Sequence, residues 1–199
     1  MKQKPAATTY RYRNNLYINV TNESPNRGGH YLDDIPVRER LIYQGHEPDR
    51  EEILSDLRRR DLLAYKEIVF GGYGEPACRW DDVLWLCDRL REMGPYFLRL
   101  NTTGLGDLIN RRDIAYDLED RFDSVSVELI ASTPAQYHDI CDSIYGQEAL
   151  PAVIRFTAMA VLEVPFVRMM VNGNLPKSEL SACRRICDRI GADFELRSL

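Results

Sequence analysis

"EIVFGGYGEP", residues 67–76, decides the fold. Ile68, Val69 and Phe70 make a short apolar run that breaks into glycine at Gly71. Such a run fits a strand buried on both faces, as strands of parallel sheets are. A parallel strand reaches its neighbour through a crossover, usually a helix. The chain supplies one on each side. Downstream, "WDDVLWLCDRLREMG" (80–94) is an amphipathic helix stopped by Gly94, with Pro95 following, and "YFLRLN" (96–101) is the next strand. Upstream, "DREEILSDLRRRDL" (49–62) is a helix with an acidic first turn and Ile53, Leu54 and Leu57 on one face. "LYINV" (16–20) is the strand before it.

The alternation continues outward. "DLINRRDIAYDLEDRF" (107–122) is partly helical and "SVSVELIA" (124–131) is a strand. "TPAQYHDICDSIYG" (133–146) opens with Thr then Pro, a helix start. "ALPAVIRFTAMAVLE" (149–163) is a helix, "FVRMMV" (166–171) a strand, "KSELSACRRICDRIG" (177–191) a helix and "DFELRS" (193–198) the last strand. Six strands alternating with about five helices predict a parallel α/β domain over residues 15–199. Residues 1–14, "MKQKPAATTYRYRN", read as a polar, poorly ordered lead-in.

The length, 199 residues, suits one domain, and 44% hydrophobic residues suffice for a sizeable core. A formal net charge of −5 argues against a nucleic-acid partner, which selects a basic excess; the Arg11 and Arg13 pair among tyrosines is too small to reverse that. No apolar run approaches the roughly 20 residues of a membrane span, and the N-terminus has no secretory apolar segment. The expected setting is cytoplasmic. Cysteine usage agrees: Cys78, Cys87, Cys141, Cys183 and Cys187 are odd in number and contain no C-x-x-C. Cys183 and Cys187 have the i, i+4 spacing of two metal ligands on a helix. They also fall on the apolar stripe with Leu180 and Ile190, and small buried hydrophobes are the stronger reading.

In parallel α/β folds ligands sit at the carboxyl ends of the strands. The loops of interest therefore follow Val20, Phe70, Leu100, Leu129 and Val171. The second offers Gly71, Gly72 and Gly74, which allow close backbone approach to a ligand, and Glu75, an acceptor for an ammonium group. The third offers Asn101 and Thr102; the fourth strand offers Ser126 and Glu128. The first is the polar loop "NVTNESPNRGGHYLDD" (19–34), which carries no obvious nucleophile and no ligand cluster. His30 with Asp33, Asp34 and Glu75 is a possible oxygen-rich cation site, and a solvated acidic loop is the stronger reading. Trp80 and Trp85 read as helix packing, and His138 as a surface or boundary residue. No catalytic residue is assigned.

Several stretches in order resemble the radical S-adenosylmethionine (radical SAM) superfamily, in particular its small members associated with TatD-type nucleases. They are "LYINVTN" (16–22), "HEPDREEILSDL" (46–57), "EIVFGGYGEP" (67–76), "LNTTGLGDLINRRDIA" (100–115), "DSVSVELIA" (123–131) and "ACRRICDRIGA" (182–192). The resemblance implies a six-stranded partial (β/α)6, TIM-like barrel. It implies that Gly72, Tyr73, Gly74 and Glu75 hold the amino-acid end of SAM, with Asn101, Ser126 and Glu128 near the nucleoside. The family's first loop carries a C-x-x-x-C-x-x-C triad that binds a [4Fe–4S] cluster. Here those positions are Ser24, Gly28 and Tyr31. Such clusters are held mainly by thiolates, so no [4Fe–4S] cluster is expected. Relatives also end the fourth strand in a pattern like "SVSLNA", whereas this chain reads "SVELIA", with Glu128 and Ile130 at the changed places.

The expectation is a pseudoenzyme on a radical SAM fold, a non-radical binder of S-adenosylmethionine or a related adenosyl or amino-acid ligand. Two alternatives come from other classes. One is a protein-interaction scaffold whose partner docks on the first loop. The other is a non-radical enzyme with a mononuclear metal at His30 and the nearby acids.

Overall fold

Strand β3 (Ile68–Phe70) forms where the apolar run predicts it and is buried throughout. The structure is a computed structural model and describes residues 8–28 and 46–197. In chain order the other strands are β1 (Thr9–Tyr12), β2 (Asn15–Ile18), β4 (Leu98–Thr102), β5 (Ser124–Glu128), β6 (Phe166–Asn172) and β7 (Asp193–Arg197). The helices are α1 (Arg50–Arg58), α2 (Trp80–Met93), α3 (Gly106–Asn110), α4 (Pro134–Cys141), α5 (Ala149–Glu163) and α6 (Lys177–Ile190). They form an α/β fold with one seven-stranded, mostly parallel sheet in the sequential order β1 to β7.

The six expected strands are β2 to β7, all parallel to one another. The seventh corrects the expected lead-in. Thr9–Tyr12 pairs antiparallel with β2, Thr9 opposite Ile18 and Tyr12 opposite Asn15. The turn between them places Arg13 at φ 53°, in the left-handed region. Aromatic and β-branched residues favour a pleated surface, and Tyr10 stacks on Tyr17 across the pair at 5.3 Å.

Helix ends follow local chemistry. Asp49 caps α1 in a reciprocal capping box with Glu52. Helix α1 stops at Arg58, short of the expected residue 62, and a single 3-10 turn at Leu62–Ala64 follows. Thr133 caps α4, and α6 ends on Gly191 at φ 78°.

Sequential order fixes the layering. Parallel crossovers are right-handed. When each one moves a single strand in the same direction, the helices lie on one face. Period-two alternation sends Leu16, Ile18, Ile68, Phe70, Leu100, Val125, Val127 and Met169 to that face, in one core with the helices. The register aligns the intervening residues on the other face: Tyr17 beside Val69, Val69 beside Arg99, Asn101 beside Ser126, and Glu128 beside Met170. This second face is polar yet buried. Val69 and Ser124 are 0% exposed and Ser126 is 1% exposed. At its amino end Arg99 pairs with Glu67 at 3.1 Å and donates to the Tyr17 hydroxyl at 3.3 Å.

Candidate functional site

At the carboxyl ends of β2 to β6 the second face opens into a cleft. Gly72, Tyr73, Gly74, Glu75, Asn101, Ser126 and Glu128, all singled out from the sequence, line it together. Ser24 and Gly28, two of the three positions that the resemblance sets against its cysteine triad, line it as well. The third, Tyr31, lies outside the described residues, as do His30, Asp33 and Asp34. The enclosed space is about 60 Å³. A cavity of about 150 Å³ holds a benzene, so this interior admits a small head group, with the bulk of any larger ligand outside it.

Glu75 is 2% exposed and works first as a clamp between loops. Its Oε1 accepts from the Ala77 amide at 3.0 Å and the Thr102 hydroxyl at 2.7 Å; its Oε2 accepts from the Thr103 amide at 2.7 Å. Each carboxylate oxygen has two lone pairs. One lone pair, on Oε2, is left for a ligand. The glycines around it are also set by packing within the protein. A Cβ on Gly72 lies 2.1 Å from Asn19 Oδ1, which accepts from the Tyr73 amide at 2.9 Å. A Cβ on Gly74 lies 2.4 Å from the Thr21 carbonyl. These two residues are glycine because the first and second loops touch there.

Glu128 ends β5 and points into the cleft with no hydrogen bond or ion pair among the described residues. Burial, and then the neighbouring Glu75 carboxylate, push its pKa up to about 8, against a smaller pull from Arg197. Four other oxygens here lack partners: Asn26 Oδ1, Asn101 Oδ1, Thr103 Oγ1 and Ser126 Oγ. They are all the buried side-chain oxygens without a hydrogen-bond partner among the described residues, and all four residues line this cleft. An unpaired buried polar group costs roughly 1–3 kcal/mol, and four at one place mark a site built for a ligand or for water.

The first loop forms one wall. The Gly28 amide donates to the Cys141 carbonyl at 2.9 Å and the Ile144 amide to the Pro25 carbonyl at 3.0 Å. Asn26 bridges to Ser143 and donates from Nδ2 to the Tyr137 hydroxyl at 3.2 Å. Gly28 is absent from the left-handed region, but a Cβ on it lies 2.7 Å from the Ile140 carbonyl oxygen. A [4Fe–4S] cluster does not fit these residues. Ser24 and Gly28 supply no thiolate, and the path at residue 28 rejects a cysteine side chain. Cys78, just past Glu75, stays a thiol: burial and the Glu75, Glu23 and Glu47 carboxylates push its pKa up to about 12.

Cys183 and Cys187 are 0% exposed on the inner stripe of α6, as small hydrophobes, with pKa values raised to about 12 and about 11, largely by burial. No group of three His, Cys, Asp or Glu residues among those described is placed to hold a metal ion. Trp80 packs on Phe122 and donates to Asp117 at 2.8 Å; Arg50 lies over Trp85. His138 on α4 is partly buried, at the boundary. Ile130 packs against the core beside the cleft and does not line it.

Sequence reasoning missed Tyr10, Tyr17, Asn26 and Thr103, which also line the cleft. Asn26 and Thr103 stand in strand-end loops and were open to selection by position. Tyr10 needed β1, and the β1 pairing has no local signal. No known family model matches the chain, and no curated protein matches it. No helix among the described residues is long and apolar enough to cross a membrane.

Proposed function

We propose that the sheet is curled as a partial (β/α) barrel of the radical SAM type, and that its mouth binds S-adenosylmethionine or a related adenosyl or amino-acid ligand without a cluster. The curl is supported by burial. Val69, Ser124 and Ser126 are fully or almost fully buried on the face opposite the helices, as they are when a sheet wraps around that face. The observation that carries the ligand reading is the gathering of every unpartnered buried side-chain oxygen described into one strand-end cleft. The small interior suits the amino-acid end of such a ligand. Its amino group meets the unpaired acceptors of that interior, the free lone pair of Glu75 among them, and the nucleoside lies toward the open rim. With no thiolates in the first loop, the chain binds without reductive cleavage.

The test is thermal unfolding with S-adenosylmethionine and, separately, S-adenosylhomocysteine. At a hundred times Kd a ligand adds about 2.7 kcal/mol to stability, which is several degrees in Tm for a chain of this size. A rise with either compound supports the reading. An unchanged Tm at millimolar concentrations of both overturns it.

A further inference from the structure

Acceptors outnumber donors in the cleft. Asn26 Oδ1 and Asn101 Oδ1 only accept, an ionised Glu128 only accepts, and Glu75 Oε2 has one lone pair left. The Ser126 and Thr103 hydroxyls serve either way. Ser126 is 1% exposed, with its Oγ unpartnered on the cleft wall. Glu128 stands two residues along the same strand and so on the same face. Asn101 is Ser126's register partner on β4, one strand spacing or about 4.8 Å away.

We propose that Glu128, Ser126 and Asn101 form a subsite for an alkylammonium group, so that the ligand of this cleft is a cationic amine. The proposal rests on the cleft being a ligand site, as above, and names the class of ligand. An ammonium brings three donors and no acceptor, which matches the unpaired oxygens, and it fits an interior of about 60 Å³. An anion meets the Glu75 carboxylate and, once it ionises, that of Glu128. A neutral alcohol brings one donor and leaves the other oxygens unpaired.

The groups facing Glu128 agree. Glu75 comes from the loop after β3, Arg197 from β7, and Tyr137 and Cys141 from α4. Tyr10 and Tyr17 stand on the same cleft wall from β1 and β2. Arg197 is the one cation among these. A bound ammonium stabilises the ionised form of Glu128, which is protonated below about pH 8 in the free protein. Binding therefore releases a proton at neutral pH and tightens as pH rises toward about 8.5. Alkylammonium ions stay charged to about pH 10.

The experiment is an amide NMR titration of the full chain with n-butylammonium chloride, n-butanol as the neutral isostere, and S-adenosylmethionine. It is run at about pH 6.5 and about pH 8.5, on wild type and on Glu128→Gln. The glutamine keeps the shape and removes the repulsion from Glu75, so the variant folds. The expected result is saturable shifts in β4 and β5 with butylammonium and not with butanol. Affinity rises roughly 25-fold between the two pH values, from the change in the ionised fraction of a carboxyl with a pKa of about 8. Glu128→Gln weakens binding about ten- to a hundredfold and removes the pH dependence. Equal binding of butanol and butylammonium, or binding by Glu128→Gln at wild-type strength, overturns the subsite. Butylammonium binding without S-adenosylmethionine binding keeps the subsite and removes the adenosyl reading. S-adenosylmethionine binding that ignores both Glu128→Gln and pH does the reverse.

Discussion

Glu128 sits beside a second carboxylate in a partly closed cleft, and that position has a thermodynamic consequence. Its pKa rises from 4.5 to about 8 on folding. Between those values the folded state holds a proton that the unfolded state has lost. By linkage, stability falls as pH rises through that window and is level with respect to this group on either side. The cumulative effect is on the order of several kcal/mol. Glu128→Gln removes it. Urea unfolding should show the variant close to wild type near pH 4.5 and clearly more stable at about pH 9. A difference that is the same at both pH values means the carboxyl titrates normally. Glu128 and Asn101 were legible as strand-end residues because alternation along a strand fixes which side chains share a face. Asn26 was open to selection only by its place in a strand-end loop; its bridge to Ser143, more than a hundred residues away in sequence, has no local signal.

At the scale of elements, the loops after β2 and β3 form one unit. The sequence signals "TN" and "GGYGEP" were visible, but the reason for the glycines was not. Their tight contacts are with Asn19, Thr21 and Glu23 of the first loop. Glu47 fastens that loop from the other side, accepting from the Thr21 hydroxyl at 2.8 Å. The wall at Asn26–Gly28 is likewise held by the end of α4. Replacing Ser24, Gly28 and Tyr31 together by cysteine restores the C-x-x-x-C-x-x-C spacing, and from sequence alone that should restore a cluster. The geometry at residue 28 gives the opposite expectation. A Cβ there is 2.7 Å from the Ile140 carbonyl, and the contact is with backbone, which does not swing aside. The triple variant, reconstituted anaerobically, should bind well under one iron per chain and lose roughly 1–3 kcal/mol of stability, the usual cost of overpacking. A brown protein with about four irons would show that α4 releases the loop when thiolates and iron are present.

Across the whole molecule, six parallel strands were legible because each is a short run between helices with readable starts and stops. Strand β1 was not. "TYRY" carries its apolar surface in tyrosines and alternates them with Thr and Arg, a pattern that solvated segments share. Its assignment depends on what lies beside it. In the folded chain it shields β2, which is otherwise the sheet's edge, and unpaired edges recruit other chains. It also ties down α1. The Thr9 hydroxyl donates to Asp56, and Arg60 donates to the Thr9 carbonyl at 2.9 Å. Tyr10 closes the cleft beside Tyr17. Deleting residues 1–12 therefore has three linked effects. Four cross-strand pairs are lost, worth roughly 1–4 kcal/mol at about 0.2–1 kcal/mol each. Tm falls by about 2–4 °C for each of those kcal/mol. The bared β2 edge promotes self-association, which light scattering reads as a concentration-dependent rise in mass. Calorimetry and scattering on the truncated chain give the decision. A lower Tm with added self-association makes β1 part of the folded unit, whereas an unchanged Tm in a monodisperse sample makes it an appendage to a six-stranded sheet.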